Sequence, residues 1–337
     1  MLTTSEKKLI SIFFITAILA ALNFVGLERK NKIIRAEEKK EEMRKEVYKD
    51  NFGKLTLLAE SALVYDVLNK KAIFGLRENK ELPLASVTKI ITAIVALEDM
   101  PRDTVVRISR EALYEEGDSG LYADEKWNLD DLVKFMLVAS SNDAAKAIAE
   151  TYEKNSLGTD ATLVRPEVVG FRTNVGHANK VKNGGEPNFV DLMNRKAGGL
   201  GLRHSSFLTP SGLDLNSQAG GLGSSRDMAL LFSYALEKYP DIFEPTAYSE
   251  QIFQSLSGIK HTVQNTNKSA NLFPQMIASK TGLTTLAGGN LAISFDFGIQ
   301  NPIIVVVLGS SEHGRFKDAL ALSLATVNYL TDLAKIE

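Results

Sequence analysis

The sequence predicts a mixed α/β domain of the α+β kind, behind an apolar N-terminal segment and a charged stretch. Strand-like segments lie at both ends of the region that begins near residue 55. A block of helical periodicity lies between them, and no internal repeat is apparent. The last strands must therefore join the first in one sheet, which makes residues 55–337 a single interleaved domain. With 337 residues, 44% hydrophobic and 24% charged, the chain has the ordinary globular mix and can bury a sizeable core.

Residues 9–27 form an apolar run interrupted only by Ser11, Thr16, Asn23 and Gly26, with no charge. A run of about 18 or more such residues reads as a membrane span, whereas a signal peptide's apolar region is usually about 7–15 residues long. Residues 1–28 are thus expected to anchor the chain in the cytoplasmic membrane through residues 9–27. Cleavage of a signal segment, which would give a secreted protein, is the alternative; small residues at Ala17, Ala20 and Ala21 keep it open. Lys7 and Lys8 precede the run, and Arg29, Lys30, Lys32 and Arg35 follow it. Taken alone, that asymmetry places the C-terminal side in the cytoplasm. Residues 29–54 are dense in mixed charge, and the stretch Glu37-Glu38-Lys39-Lys40-Glu41-Glu42 offers i, i+4 pairs, so a solvated helical stalk is expected.

Beyond the stalk, residues 61–66 are rich in Leu and Val and read as a strand, with 71–76 as its hairpin partner. Residues 85–97 form an apolar helix with Pro83 just upstream. Residues 129–138 and 143–152 read as two helices separated by a short polar turn. Residues 154–188, rich in Gly, Asn, Thr and charge, read as a long loop or insertion. Helices are predicted over 189–200 and 225–236, core strands over 291–295 and 302–308, and an amphipathic closing helix over 315–333.

Composition excludes several chemistries. There is no cysteine, hence no disulfide, thiolate zinc site, iron–sulfur cluster or cysteine nucleophile. The four histidines, His177, His204, His261 and His313, share no metal-ligand spacing, so no metal or other cofactor is expected. A net charge of −2 gives no reason to expect a nucleic-acid partner. Gly117-Asp118-Ser119-Gly120 matches the core of a trypsin-like nucleophile motif, but no histidine lies near it and Leu121 stands where a further Gly is needed; a polar turn is the better reading.

Three short motifs carry more. Ser86-Val87-Thr88-Lys89 opens the apolar helix, where residues i and i+3 share a face, so the Lys89 amine can reach the Ser86 hydroxyl. Serine needs a base to take its proton, and lysine becomes one when burial and neighbouring positive charge lower its pKa. Ser140-Ser141-Asn142 lies in the turn between two helices, where a hydroxyl can relay a proton and a carboxamide can bind an amide. Lys280-Thr281-Gly282 precedes a predicted strand; its Lys and Thr can hold an anion, and its Gly permits close backbone approach of a ligand lying along a strand edge. Each motif alone is short enough to arise by chance.

Together, in this order, they resemble the serine penicillin-recognising enzymes. The flanking stretches Leu84-Ala85-Ser86-Val87-Thr88-Lys89, Ser140-Ser141-Asn142-Asp143-Ala144-Ala145, Phe207-Leu208-Thr209-Pro210-Ser211-Gly212-Leu213, Asn265-Thr266-Asn267 and Ala278-Ser279-Lys280-Thr281-Gly282-Leu283-Thr284 resemble one branch. That branch is the D-alanyl-D-alanine carboxypeptidases among the low-molecular-mass penicillin-binding proteins. The resemblance implies a β-lactamase/transpeptidase-like fold: an antiparallel sheet flanked by helices, an all-helical subdomain, and a site between them. It implies a peptidoglycan stem peptide ending in D-Ala-D-Ala as substrate and β-lactam antibiotics as inhibitors. By resemblance Ser86 attacks the penultimate D-Ala carbonyl and Lys89 accepts its proton. Ser140 relays protons, Asn142 contacts the substrate backbone, and Lys280 and Thr281, followed by Gly282, bind the terminal carboxylate. The backbone N–H groups of Ser86 and Leu283 form the oxyanion hole. Lys280 is expected to stay charged for its task. Such a substrate lies outside the cytoplasmic membrane, so the catalytic domain is expected outside, against the local charge asymmetry. The resemblance also leads to the expectation that the C-terminal β-rich domain and amphipathic anchor of many relatives are missing and that the N-terminal segment takes over the anchoring job. A class A β-lactamase would need a deacylating Glu in an E-x-x-L-N segment, and none is found. A D,D-endopeptidase of the same family and a non-catalytic penicillin-binding scaffold remain as alternatives.

Overall fold

Hydrophobic runs and turn residues fix the elements that hold the motifs. The computed structural model describes residues 3–117, 119–158, 187–273, 275–298 and 300–336. The chain divides into two units, residues 1–55 with 325–337, and residues 56–324.

In the first unit, α1 (Thr4–Phe52) is one continuous helix. The side chains of residues 29–42 are exposed, as suits the mixed-charge sequence. Near its end the rings of Tyr48, Phe52 and Tyr329 cluster at centroid distances of 5.0–6.0 Å. Among the described residues no helix is long and apolar enough to cross a membrane. Most side chains of the expected anchor, residues 9–27, lie outside the described ones.

The second unit opens with the hairpin β1 (Ser61–Asp66) and β2 (Lys71–Leu76), at the bounds the sequence predicts. The short β3 (Leu82–Pro83) follows, then a 3-10 turn over Ala85–Thr88 and α2 (Lys89–Asp99). Next come β4 (Val105–Arg107), β5 (Lys126–Asn128), α3 (Leu129–Ala139) and α4 (Asn142–Gly158). Then follow α5 (Phe189–Gly199), β6 (Ser206–Phe207), β7 (Gly221–Gly223), α6 (Ser225–Lys238) and the short α7 (Pro240–Phe243). The chain closes with β8 (Glu250–Gln254), β9 (Lys260–Gln264), β10 (Met276–Thr284), β11 (Gly288–Asp296), β12 (Pro302–Ser310) and α8 (Gly314–Ala334).

The first and last strands join, as expected, in a five-stranded antiparallel sheet of order β10-β11-β12-β1-β2. The Ile-Val run of β12 is buried on both faces, which explains its unbroken apolar sequence. Asp318, near the start of α8, accepts the N–H groups of Leu58 (3.1 Å) and Ala59 (2.9 Å) and the Ser310 hydroxyl (2.7 Å), locking the entry to β1 against β12. The helical block packs around α2, whose Ile90, Ile91, Ala93 and Ile94 are fully buried.

Three expectations change. The helix expected over 85–97 begins as a 3-10 turn, and α2 proper starts at Lys89. Ala85 sits at φ +48°, and the tight turn fits where Gly212 and Gly282 crowd its backbone. Lys280-Thr281-Gly282 lies inside a nine-residue strand, β10, where the sequence predicts no strand. Of the loop expected over 154–188, residues 154–158 continue α4, and 159–186 lie outside the described residues.

Candidate active site

The three motifs converge where the 3-10 turn, the α3–α4 corner and β10 meet. In a 3-10 turn residues i and i+3 eclipse one another. Lys89 therefore stands directly over Ser86, with Nζ 2.9 Å from Oγ. Ser86 is half-buried and Lys89 fully buried, so the hydroxyl reaches the opening and the amine lies beneath it. Lys89 Nζ also donates to Asn142 Oδ1 (2.6 Å) and to the backbone carbonyl of Ser211 (2.8 Å).

Asn142 begins α4, and its Nδ2 donates to the Glu116 carbonyl at 2.6 Å. Its carboxamide thus holds Lys89, a positioning task that adds to the substrate contact implied by resemblance. Ser140 closes α3 in a left-handed conformation, φ 57° and ψ 32°, which turns its side chain toward β10. There Lys280 Nζ donates to Ser140 Oγ at 2.8 Å and to the Thr281 carbonyl at 2.9 Å. Thr281 Oγ1 lies 2.6 Å from Thr266 Oγ1.

β10 is an edge strand of the sheet, and Gly282 passes against the turn that carries Ser86. A Cβ there would lie 2.7 Å from the Leu84 carbonyl oxygen, so only glycine allows the approach. The Gly282 carbonyl accepts from Arg315 Nη1 at 2.6 Å. Leu283, one residue on, has an exposed side chain. Asn290 on β11 donates from Nδ2 to the Pro83 carbonyl and accepts the Gly309 N–H, both at 2.8 Å, tying the sheet to the stretch before Ser86.

Burial pushes the Lys89 amine down to about 7, against the opposing pull of Glu115 and Asp143. Lys280 is pushed well below its ordinary value, first by burial and then by the charges of Lys89 and Arg315. The charge that its proposed task needs is thus opposed by its burial and by its cationic neighbours.

The sequence singled out Ser86, Lys89, Ser140, Asn142, Lys280, Thr281, Gly282 and Leu283, and the structure brings all eight to one place. Ser211, Thr266 and Arg315 were not given roles. Ser211 and Thr266 lie in stretches that carry the resemblance, and that was the available signal. Arg315, buried in the first turn of α8, carries no local pattern that marks it. The Ser119 hydroxyl lies 2.7 Å from Ser141 Oγ and donates to Asp143 at 2.9 Å, as a polar turn would.

Residues 47–156 and 172–312 match the sequence profile of the D-alanyl-D-alanine carboxypeptidases, Peptidase S11. The chain belongs to this family. Over 264 residues it is 28% identical to the D-alanyl-D-alanine carboxypeptidase DacF of Bacillus subtilis, covering 76% of this chain and 59% of that protein. Over 273 residues it is 26% identical to a D-alanyl-D-alanine endopeptidase of Pseudomonas aeruginosa, covering 79% and 76%. Penicillin-binding protein D2 of Listeria monocytogenes, solved in its cefotaxime-bound form, superposes with a TM-score of 0.63 at 25% identity, over 80% of this chain and 98% of that one. The Streptomyces K15 DD-transpeptidase shares the fold with a TM-score of 0.65 at 21% identity, over 81% and 98%. The antiparallel sheet with its helical block is thus the penicillin-binding fold that the motifs imply.

Proposed function

We propose that the chain is a serine-type D-alanyl-D-alanine carboxypeptidase that removes the terminal D-Ala from peptidoglycan stem peptides. The observation that carries this reading is the fully buried Lys89 amine, held 2.9 Å from Ser86 Oγ. Lys89 takes the hydroxyl proton as Ser86 Oγ bonds to the penultimate D-Ala carbonyl carbon. The peptide C–N bond then breaks, the proton passes to the leaving amine, and terminal D-Ala departs. Water attacks the ester and frees Ser86. Ser140, which accepts from Lys280, relays the proton to the leaving nitrogen. A substrate carboxylate against Lys280 and Thr281 supplies the negative charge that favours the Lys280 ammonium. The backbone N–H groups of Ser86 and Leu283 serve as oxyanion donors. β-Lactams acylate the same hydroxyl. The family match and the antibiotic-bound Listeria relative support this reading.

Attachment to the cytoplasmic membrane through residues 9–27, with the catalytic unit outside, belongs to the same reading. It is supported by the length of the uncharged run and by the location of the substrate. The Pseudomonas relative favours a second reading, a D,D-endopeptidase that uses the same residues on cross-linked peptides. Mass spectrometry of a stem pentapeptide and of a cross-linked dimer, each incubated with the full chain, separates the two. Loss of one alanine from the pentapeptide is expected, and Ser86→Ala should abolish both that loss and labelling by a fluorescent penicillin. Cleavage of the dimer alone would favour the endopeptidase.

A further inference from the structure

Away from the reacting groups, the unit holds a second buried titratable pair. His261 Nε2 lies 2.7 Å from Glu125 Oε1, and the two side chains are 7% and 0% exposed. The other carboxylate oxygen, Oε2, accepts the Tyr122 N–H at 3.0 Å. Trp127, Phe135 and Tyr122 surround the imidazole at ring-centroid distances of 5.2, 5.6 and 6.1 Å. A carboxylate in such apolar surroundings is costly unless paired, so the bond holds its two segments firmly.

Both segments lead to the site. Upstream of Glu125, the chain holds Ser119 on Ser141 and Asp143, and the Glu116 carbonyl on Asn142, whose other end grips Lys89. Downstream of His261, β9 runs into Asn265, which donates to the Thr246 and Tyr248 carbonyls at 2.8 Å. Thr266 follows, with its N–H on the Val138 carbonyl at 3.3 Å and its hydroxyl on Thr281. The β8–β9 turn also docks on β5, where the Leu256 N–H meets the Lys126 carbonyl at 2.8 Å and the Lys126 N–H meets Ser257 Oγ at 3.0 Å.

We propose that the Glu125–His261 bond is a positioning pair for acylation. It fixes the span between the segment that holds Asn142 on Lys89 and the segment that holds Thr266 on Thr281. This rests on the reading of Ser86 as the acylated residue. Neither side chain touches substrate; both act through Asn142 and Thr266.

The test compares acylation of the full chain by a fluorescent penicillin, as rate per titrated site, in wild type, Glu125→Leu/His261→Leu and His261→Gln. Replacing both partners by apolar residues leaves no buried charge unpaired, so the double variant should fold. Its rate per site should fall by about tenfold to a hundredfold, the scale of displacements near 1 Å at a catalytic group. His261→Gln keeps an N–H donor for Glu125 and should recover most of the rate. A purely structural role would lower the number of titrated sites but not the rate at each. A double variant with the wild-type rate per site overturns the pair, as does a Gln variant as slow as the double variant. If the double variant yields no folded protein, a single variant carries the test, and Glu125→Gln does not suit it. Its amide can still bond both Tyr122 and His261, because the imidazole can accept at Nε2, so Glu125→Leu replaces it: it removes the bond to His261 without burying an unpaired charge, and an unchanged rate per site overturns the proposal. A wild-type chain that takes no label overturns the reading of Ser86 and the pair with it; a labelled wild type confines any failure to the pair.

Discussion

Lys89 Nζ has three hydrogen-bond partners, Ser86, Asn142 and Ser211, and their chemistry suits one protonation state. The Asn142 Oδ1 and the Ser211 carbonyl can only accept, so two N–H bonds point at them. A neutral amine has two N–H groups and one lone pair, and the lone pair is then left for the Ser86 hydroxyl. The position that burial lowers to about 7 is thus also the one whose neighbours suit the free base. Only the neutral fraction can take a proton, and that fraction grows as pH rises through the pKa. Acylation by a labelled penicillin should therefore climb through about pH 7 and level off above it. Lys89→Ala should slow acylation by about 10²–10⁴-fold, the usual contribution of a general base. Lys89→Arg should not restore it, because a guanidinium keeps its proton in a protein. Rate-against-pH curves for the three proteins check this, and a Lys89→Arg chain with the wild-type rate would remove Lys89 as the base.

At the scale of elements, the site depends on how closely β10 approaches the turn at Ala85–Thr88. Gly282→Ala would put a methyl 2.7 Å from the Leu84 carbonyl, and neither backbone can yield without moving Ser86 relative to Lys280. The sheet itself should survive, because the Gly282↔Asn290 pairing needs no side chain. The expected outcome is a far-ultraviolet spectrum close to wild type with an acylation rate lower by about 10²-fold; an unchanged rate would mean that the close approach is dispensable. The same contact explains what could and could not be read from sequence. The β1–β2 hairpin, α3, α5, α6, β12 and α8 follow local patterns of apolar spacing and are legible. β10 is not, because Ser279, buried on Thr246, and Lys280 and Thr281, buried by the site, break the alternation that marks a strand. The 3-10 turn is also hidden, since Ala85 takes its positive φ from neighbours brought in by Gly212 and Gly282, distant in sequence. The motifs survive this because Ser86 and Lys89 stay in reach at i, i+3 in either kind of helix.

At the scale of the whole molecule, the site works against the stability of the fold. Lys89 titrates at 10.5 when exposed in the unfolded chain and at about 7 in the folded one. Between those values the unfolded chain holds a proton that the folded chain has released, so stability rises with pH across that window. Below about pH 7 the full cost of burying the ammonium is present, and above about 10.5 it is gone. Lys280, also lowered, adds a contribution of the same sign. Lys89→Met removes the titration, and it leaves Asn142 Oδ1 and the Ser211 carbonyl without this donor, a penalty that does not depend on pH. Urea unfolding of both proteins at a series of pH values isolates the effect, because every other titrating group cancels to first order in the difference. The stability of Lys89→Met minus that of wild type should decline steadily from about pH 7 to about 10.5 while the variant takes no penicillin label at any pH. A difference that stays level or grows across that window would show that the buried amine keeps its ordinary pKa, and the free base at Ser86 would lose its footing.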